Sequence, residues 1–249
     1  MNKQQSANRY RSRMNMVLQP SISCITYSFF ILFLVSCTMT PNDTYQAKKV
    51  KESTNLENVD WQQAELLSDF ISPWQDAPAH TTFRALWDDN NLYFRFDVVE
   101  PNIMVYSDTN DEQEVVRSER VEIFFRQNED LNPYYCLEMD ASGRVFDYQA
   151  AHYRQFKPGW SWPEGQLEVK ASNSSDGYKV TGRVSLQSLK NLGLLNDHKL
   201  QVGLFRGRRT SQQESGSDAD FHWISWIHPE TAEPDFHVAS SFGQLLLVK

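Results

Sequence analysis

The chain has 249 residues, 40% of them hydrophobic and 13% aromatic, with 24 Lys and Arg against 32 Asp and Glu for a net charge of −8. That balance argues against nucleic acid as a partner, because such binding draws its affinity from Lys and Arg neutralising phosphates. An acidic polysaccharide would need a local basic patch that the overall charge does not supply.

In chain order, Lys3, Arg9, Arg11 and Arg13 come first, and Ile25 to Ser36 is an apolar run of 12 residues. A bilayer-spanning helix needs about 20, so a basic start and a short apolar run read as a secretory signal. The run ends Leu34-Val35-Ser36-Cys37. This resembles the bacterial lipobox, which makes residues 1–36 a lipoprotein signal peptide and Cys37 the lipidated first residue. The membrane is then met through the N-terminal lipid only. Thr38 in place of Asp favours the outer membrane. Met14 or Met16 could be the start, since the residues before them lengthen the basic region. Residues 37–57 are expected to be a polar tether, because Pro41 to Asn55 show no apolar periodicity. With Cys24 removed and Cys37 lipidated, Cys136 stands alone, so no intrachain disulfide forms and Cys136 reads as a small buried hydrophobe.

Residues 58–249 form one domain's worth of chain, enough for a full core. Thr82 to Pro101 predicts a β-hairpin. Apolar residues alternate on either side of Asp88-Asp89-Asn90-Asn91, and Asp and Asn accept turn dihedrals. Further strands are predicted at Arg120–Arg126, Tyr134–Met139, Arg144–Ala150, Leu167–Ala171, Tyr178–Val184, Leu200–Arg206 and Gln244–Val248. Ser185–Leu194 alone reads as helical, with Ser185 as its N-cap. Many short strands with turn signals and one short helix predict an all-β fold, a two-sheet antiparallel β-sandwich.

For chemistry, the six His show no tight ligand spacing, so no metal site is expected. Glu119, Glu122, Glu138, Asp140 and Asp147 are candidate carboxylates for a glycosidase, which needs two of them flanking the bond. The favoured reading is strand-face carboxylates paired with Arg or bonding ligand hydroxyls, because the E-x-D-x-x-E pattern of sandwich-fold glucanases is incomplete: Glu138-Met139-Asp140 continues Ala-Ser-Gly. Trp160 and Trp162 sit between Pro158 and Gly165 in a loop, where a Trp either meets a ligand or covers the core. Trp61, Trp74 and Trp87 adjoin apolar runs and are expected in the core.

Several segments, in order, are similar to family 9 carbohydrate-binding modules. They are Val59-Asp60-Trp61, Ala85-Leu86-Trp87-Asp88 with Leu92-Tyr93, Val121-Glu122-Ile123-Phe124, Gly177-Tyr178-Lys179-Val180, Ile224-Ser225-Trp226 with Pro229, and Phe242-Gly243-Gln244-Leu245. The resemblance implies a β-sandwich that binds glycan chain ends between two aromatic rings. It places Glu122 on a sugar-contacting carboxylate and Phe236 near one of the two rings. The other ring falls at Val116, and a ligand-contacting Arg falls at Cys136. Trp160, Trp162 or Tyr106 are then the candidates to replace the missing ring. Some relatives hold structural calcium, but no oxygen-rich loop stands out here.

The expected ligand-binding residues are Arg120, Glu122, Trp160, Trp162, Trp226 and Phe236. The expected function is non-catalytic binding of a glycan at the cell envelope, assisting carbohydrate breakdown beside a partner glycoside hydrolase and without a cofactor. Two alternatives stay open. One is hydrolysis by Glu122 with Glu138 or Asp140. The other is a haem-binding module, drawing on Met104, Met139 or a His.

Overall fold

The structure, a computed structural model, describes residues 43–51, 55–106, 109, 111–211 and 220–249. The expected signal peptide, Cys24 and Cys37 lie outside them. The described chain is mostly strand: β1 (Thr44–Lys49), β2 (Thr81–Trp87), β3 (Asn91–Val99), β4 (Arg120–Arg126), β5 (Tyr134–Asp140), β6 (Val145–Ala151), β7 (Gln155–Phe156), β8 (Leu167–Ser174), β9 (Gly177–Ser185), β10 (Lys199–Arg209), β11 (Phe221–Ser225) and β12 (Gly243–Val248). One α-helix, α1 (Leu186–Asn191), follows β9, and the Ser185 hydroxyl caps it by accepting the Ser188 N–H. All-β architecture with one short α-helix is therefore as the sequence predicts.

The hairpin at β2–β3 shows how local chemistry sets register. Phe83 faces Phe96 and Ala85 faces Phe94 across the pair. Asp88 closes the turn: its carboxylate accepts the N–H groups of Asn90 at 2.8 Å and Asn91 at 2.7 Å, and the Tyr93 hydroxyl at 2.6 Å. These bonds satisfy turn amides that would otherwise be left without partners.

The strands join in the order β7-β6-β5-β4-β10-β12-β1-β2-β3-β9-β8, with β11 added along β10. One half of this path is β2, β3 and β9; the other is β4, β5 and β10. Both halves give alternate residues to a single core: Phe83, Phe94 and Phe96 from the first, Ile123, Leu137 and Leu204 from the second. Fully burying one such side chain is worth about 1.5–3 kcal/mol, so this shared face dominates stability.

Two features depart from expectation. Thr44–Lys49, inside the expected polar tether, is β1 and runs parallel to both β12 and β2. The sheet is thus mixed rather than wholly antiparallel. Tyr45 anchors β1: its hydroxyl accepts the Ala85 N–H at 2.7 Å and donates to the Glu65 carbonyl at 2.7 Å. A polar sequence with one buried Tyr and one buried Ala carries little periodic signal, which is why composition hides the strand. The second feature is a buried ionic group, in which Arg206 meets Glu119 at 2.7 Å and Glu100 at 3.2 Å with no exposure of its own side chain.

Candidate functional site

Alternation along β4, β5 and β10 creates a second face, turned away from the shared core. Arg120, Glu122 and Phe124 point there from β4, beside Tyr134, Cys136 and Glu138 from β5. Phe124, Cys136, Tyr148, Phe205, Phe236 and Phe242 form a separate apolar cluster on it. The register sets Glu122 directly between Glu138 and Phe205. A cavity of about 360 Å³ lies over this face.

The base of the cavity is ionic. The Nε of Arg120 lies 2.8 Å from a carboxylate oxygen of Glu122 and 2.8 Å from one of Glu138. Its Nη1 donates to the Val116 carbonyl at 2.9 Å, and the Tyr148 hydroxyl donates to Glu138 at 3.0 Å. All three side chains are buried, Glu122 at 2% exposure and Glu138 at 5%. Burial pushes the Glu122 carboxyl up to about 8; Arg120 opposes this and the neighbouring Glu138 adds to it. At neutral pH Glu122 thus keeps a proton. It can donate one hydrogen bond and accept others, which suits a ligand hydroxyl.

Aromatic side chains cover this base. Phe221 and Trp223 alternate out of β11 onto the cavity side and stack at 5.0 Å and 25°. The Arg120 guanidinium lies over both rings, at 5.2 Å and 5.4 Å. Gly207 makes this possible, since it pairs with Arg120 on one side and Trp223 on the other. A Cβ there would come within 3.0 Å of Arg120 and 3.3 Å of Trp223. Phe236 stacks on Phe205 at 4.0 Å and 11°. His237 accepts or donates at 2.8 Å with the Tyr134 hydroxyl, and burial pushes its imidazole down to about 3, so it is neutral. Across the cavity stand Phe146, Tyr148 and Phe156, the last 52% exposed. Arg154 and Asp235, 3.3 Å apart, join the β6–β7 turn to the segment before Phe236.

The structure brings Arg120, Glu122 and Phe236 together on the cavity. It separates the three Trp from them, which corrects the expected site. Trp162 is 5% exposed in the shared core, packed on Phe125 at 5.8 Å, with its indole N–H donating to Ser188 at 3.1 Å. Trp226 is buried in the same core, and Trp160 packs against that core beside Tyr135 at 5.1 Å. Trp162 and Trp226 are held within the core's apolar surface with no face left for a ligand, and Trp160, half-buried against that core, lies outside the cavity. Tyr106 does not line the cavity; Arg117 and Arg209 lie over its ring at 4.8 Å and 4.4 Å. Val116 does line it, and Cys136 is buried beneath it with its thiol pushed up by burial.

The other carboxylates are engaged elsewhere. Glu119 holds Arg206, and burial raises its carboxyl. Asp140 fixes the β5–β6 turn through the Ser142 and Arg144 N–H groups at 2.9 Å and 3.0 Å. Asp147 meets the Ser161 hydroxyl at 3.2 Å. Met139 is fully buried in the core, and no cluster of three metal-binding side chains occurs among the described residues.

Sequence reasoning missed Trp74, expected in the core, and Phe221 and Trp223. Trp74 lines the cavity and donates its indole N–H to the Thr231 carbonyl at 3.1 Å. The alternation Phe221-His222-Trp223-Ile224 was the signal for β11: two aromatics on one face of a strand too short to register as one.

Comparison with known proteins gives consistent relatives. The family model described as "Carbohydrate family 9 binding domain-like" matches residues 55–249. A candidate carbohydrate-binding protein from Bacteroides uniformis ATCC 8492 superposes with a TM-score of 0.62 at 17% identity, over 82% of this chain and 99% of the other. A family 9 carbohydrate-binding module from Caldicellulosiruptor kristjanssonii, solved with cellotriose, gives 0.53 at 18% identity, over 82% and 93%. At these identities the likeness is one of fold. No curated protein matches the chain significantly.

Proposed function

The chain belongs to the carbohydrate family 9 binding domain-like family, and on that premise we propose that it is a non-catalytic glycan-binding protein whose site is the cavity over β4, β5, β10 and β11. One observation carries the reading. A buried Arg120 clamped by Glu122 and Glu138 lies beneath the rings of Phe221 and Trp223. Sugars offer apolar C–H faces and many hydroxyls, and a cavity that pairs aromatic faces with fixed polar groups answers both. The burial of Glu122 and Glu138 against Arg120 favours recognition over hydrolysis, since a general acid or nucleophile has to reach the scissile bond.

We further propose the finer architecture and setting. The continuous sheet folds on itself as a two-layer β-sandwich, which the core shared between its halves supports. Cys37 carries lipid, residues before β1 tether the domain to the outer membrane, and a glycoside hydrolase acts nearby; the lipobox supports the first of these. Isothermal titration and affinity electrophoresis against xylan, glucans and pectic oligosaccharides test the function. Saturable binding to one class, abolished by Trp223→Ala, is expected; binding to no glycan refutes it. Radiolabelled palmitate incorporation that survives Cys37→Ser would refute the anchor.

A further inference from the structure

Four arginines are buried among the described residues. Three have carboxylate partners: Arg120 with Glu122 and Glu138, Arg206 with Glu119 and Glu100, and Arg209 with Asp220 at 3.8 Å. Arg126, 7% exposed, forms no ion pair among the described residues. Its Nε donates to the Gln201 side-chain oxygen at 2.8 Å and its Nη1 to the Ala239 carbonyl at 2.9 Å, and the guanidinium lies 4.9 Å from the Phe242 ring. These dipoles and the ring face fix the group without neutralising it. Burial draws its pKa below the ordinary value, and the charge of the exposed Glu129 offsets that only in part. A buried charge without a counter-charge is unfavourable, and an anion that reaches it removes that cost.

A depression of about 220 Å³ opens on Arg126 and shares no lining residue with the glycan cavity. Arg126 ends β4, six residues beyond Arg120, which at about 3.3 Å per residue puts the two arginines roughly 20 Å apart. Register builds the floor of the depression: Gln201 of β10 pairs with Arg126 of β4 on one side and with Gln244 of β12 on the other. Lys199 stands two residues before Gln201, on the same face of β10, and is exposed. Its ammonium, the Nη2 of Arg126 and the amide of Gln244 have no partner among the described residues, and none of the three is sealed from solvent. Asp197 is the single carboxylate on the lining, and it pairs with neither cation.

We infer that this depression binds an oxyanion, a carboxylate or sulfate group, between the Arg126 guanidinium and the Lys199 ammonium, with the amides of Gln201 and Gln244 as further donors. A planar guanidinium matches the two oxygens of such a group, and charge on both partners strengthens the hydrogen bonds. The site stands apart from the glycan cavity and does not depend on it. Its occupant is either a free ion or the acidic group of a sugar acid, which present the same oxygens.

Titration calorimetry of the full-length chain with sodium acetate, sodium sulfate and galacturonate, at ionic strength held constant with chloride, tests the inference. Saturable binding of at least one of them, at one site per chain, is expected. Arg126→Met should weaken it about tenfold or more and Lys199→Gln about threefold, in keeping with lost charge-assisted contacts. Lys199 is exposed, so Lys199→Gln leaves folding unaffected and decides the matter if Arg126→Met does not fold. Trp223→Ala, which alters only the glycan cavity, should leave the oxyanion affinity within about twofold. In that variant, galacturonate binding tighter than acetate identifies a sugar acid as the occupant, and equal affinity identifies a free ion. Binding of no oxyanion, or binding that Arg126→Met and Lys199→Gln leave unchanged, overturns the site while the glycan reading stands.

Discussion

Removing the charge of Arg120 should be far more damaging than replacing the carboxyl of Glu122 by an amide. Arg120 is the cation between two buried carboxylates, 2.8 Å from each. Arg120→Met keeps the aliphatic stem and deletes the guanidinium. Breaking a buried ion pair from one side costs about 3–5 kcal/mol, since Glu138 is left as a buried charge without its cation. The lost stacking on Phe221 and Trp223 adds about 0.5–2 kcal/mol. Together these come to about 3.5–7 kcal/mol; for a domain of this size 1 kcal/mol moves Tm by about 2–4 °C, so a fall of roughly 7–28 °C is expected. Glu122→Gln is different. Its carboxyl is raised to about 8 and already carries a proton at pH 7, so the amide replaces a neutral group of the same shape at a cost of about 1 kcal/mol or less. Urea and thermal denaturation at pH 7 measure both. The reasoning fails if Arg120→Met stays within about 1 kcal/mol of wild type, or if Glu122→Gln proves as harmful as Arg120→Met.

The same groups set the pH dependence. Glu122 holds a proton in the folded state up to about pH 8, whereas the unfolded chain releases it near 4.5. Its contribution is complete in acid and is lost as pH rises through that window. His237, depressed to about 3 from 6.5, acts the other way, and its contribution is lost as pH falls from 6.5 to 3. Stability measured by urea titration should therefore fall from pH 6.5 to 8, and Glu122→Gln should flatten that limb; an unaltered slope counts against the assignment. Phe156→Ala should weaken glycan binding by roughly 2–13-fold, the loss of one aromatic contact of about 0.5–1.5 kcal/mol, with Tm little changed because the ring is 52% exposed. Trp162→Ala should do the reverse, losing about 3–5 kcal/mol of stability while the folded fraction still binds. Tyr45→Phe leaves the Ala85 N–H unpaired and should cost about 1–3 kcal/mol by denaturation; no change would mean that β1 adds little to the fold.

The alternation of Phe83, Ala85 and Trp87 and the turn chemistry of Asp88 gave the β2–β3 hairpin, because period two and side-chain turn bonds are local properties. Ser185 gave the start of α1 for the same reason. Glu122 and Phe236 were reached through motif resemblance, and both line the cavity. Trp160, Trp162 and Trp226 stand out in the sequence as aromatics near turns and family motifs. Which face of a core a Trp meets depends on strands far away in sequence, and here the shared core took all three.

The sequence by itself thus determined the all-β class, the strands that alternate, and the family. Only the tertiary structure decided that β1 belongs to the sheet, since its pairing with β12 and β2 spans long sequence separations. It alone set Glu122 against Glu138 with one Arg120 between them, a consequence of antiparallel register between β4 and β5. It alone brought Trp74 and Trp223 to the same wall, because a binding surface is assembled from side chains that share a face and not from neighbours in the chain.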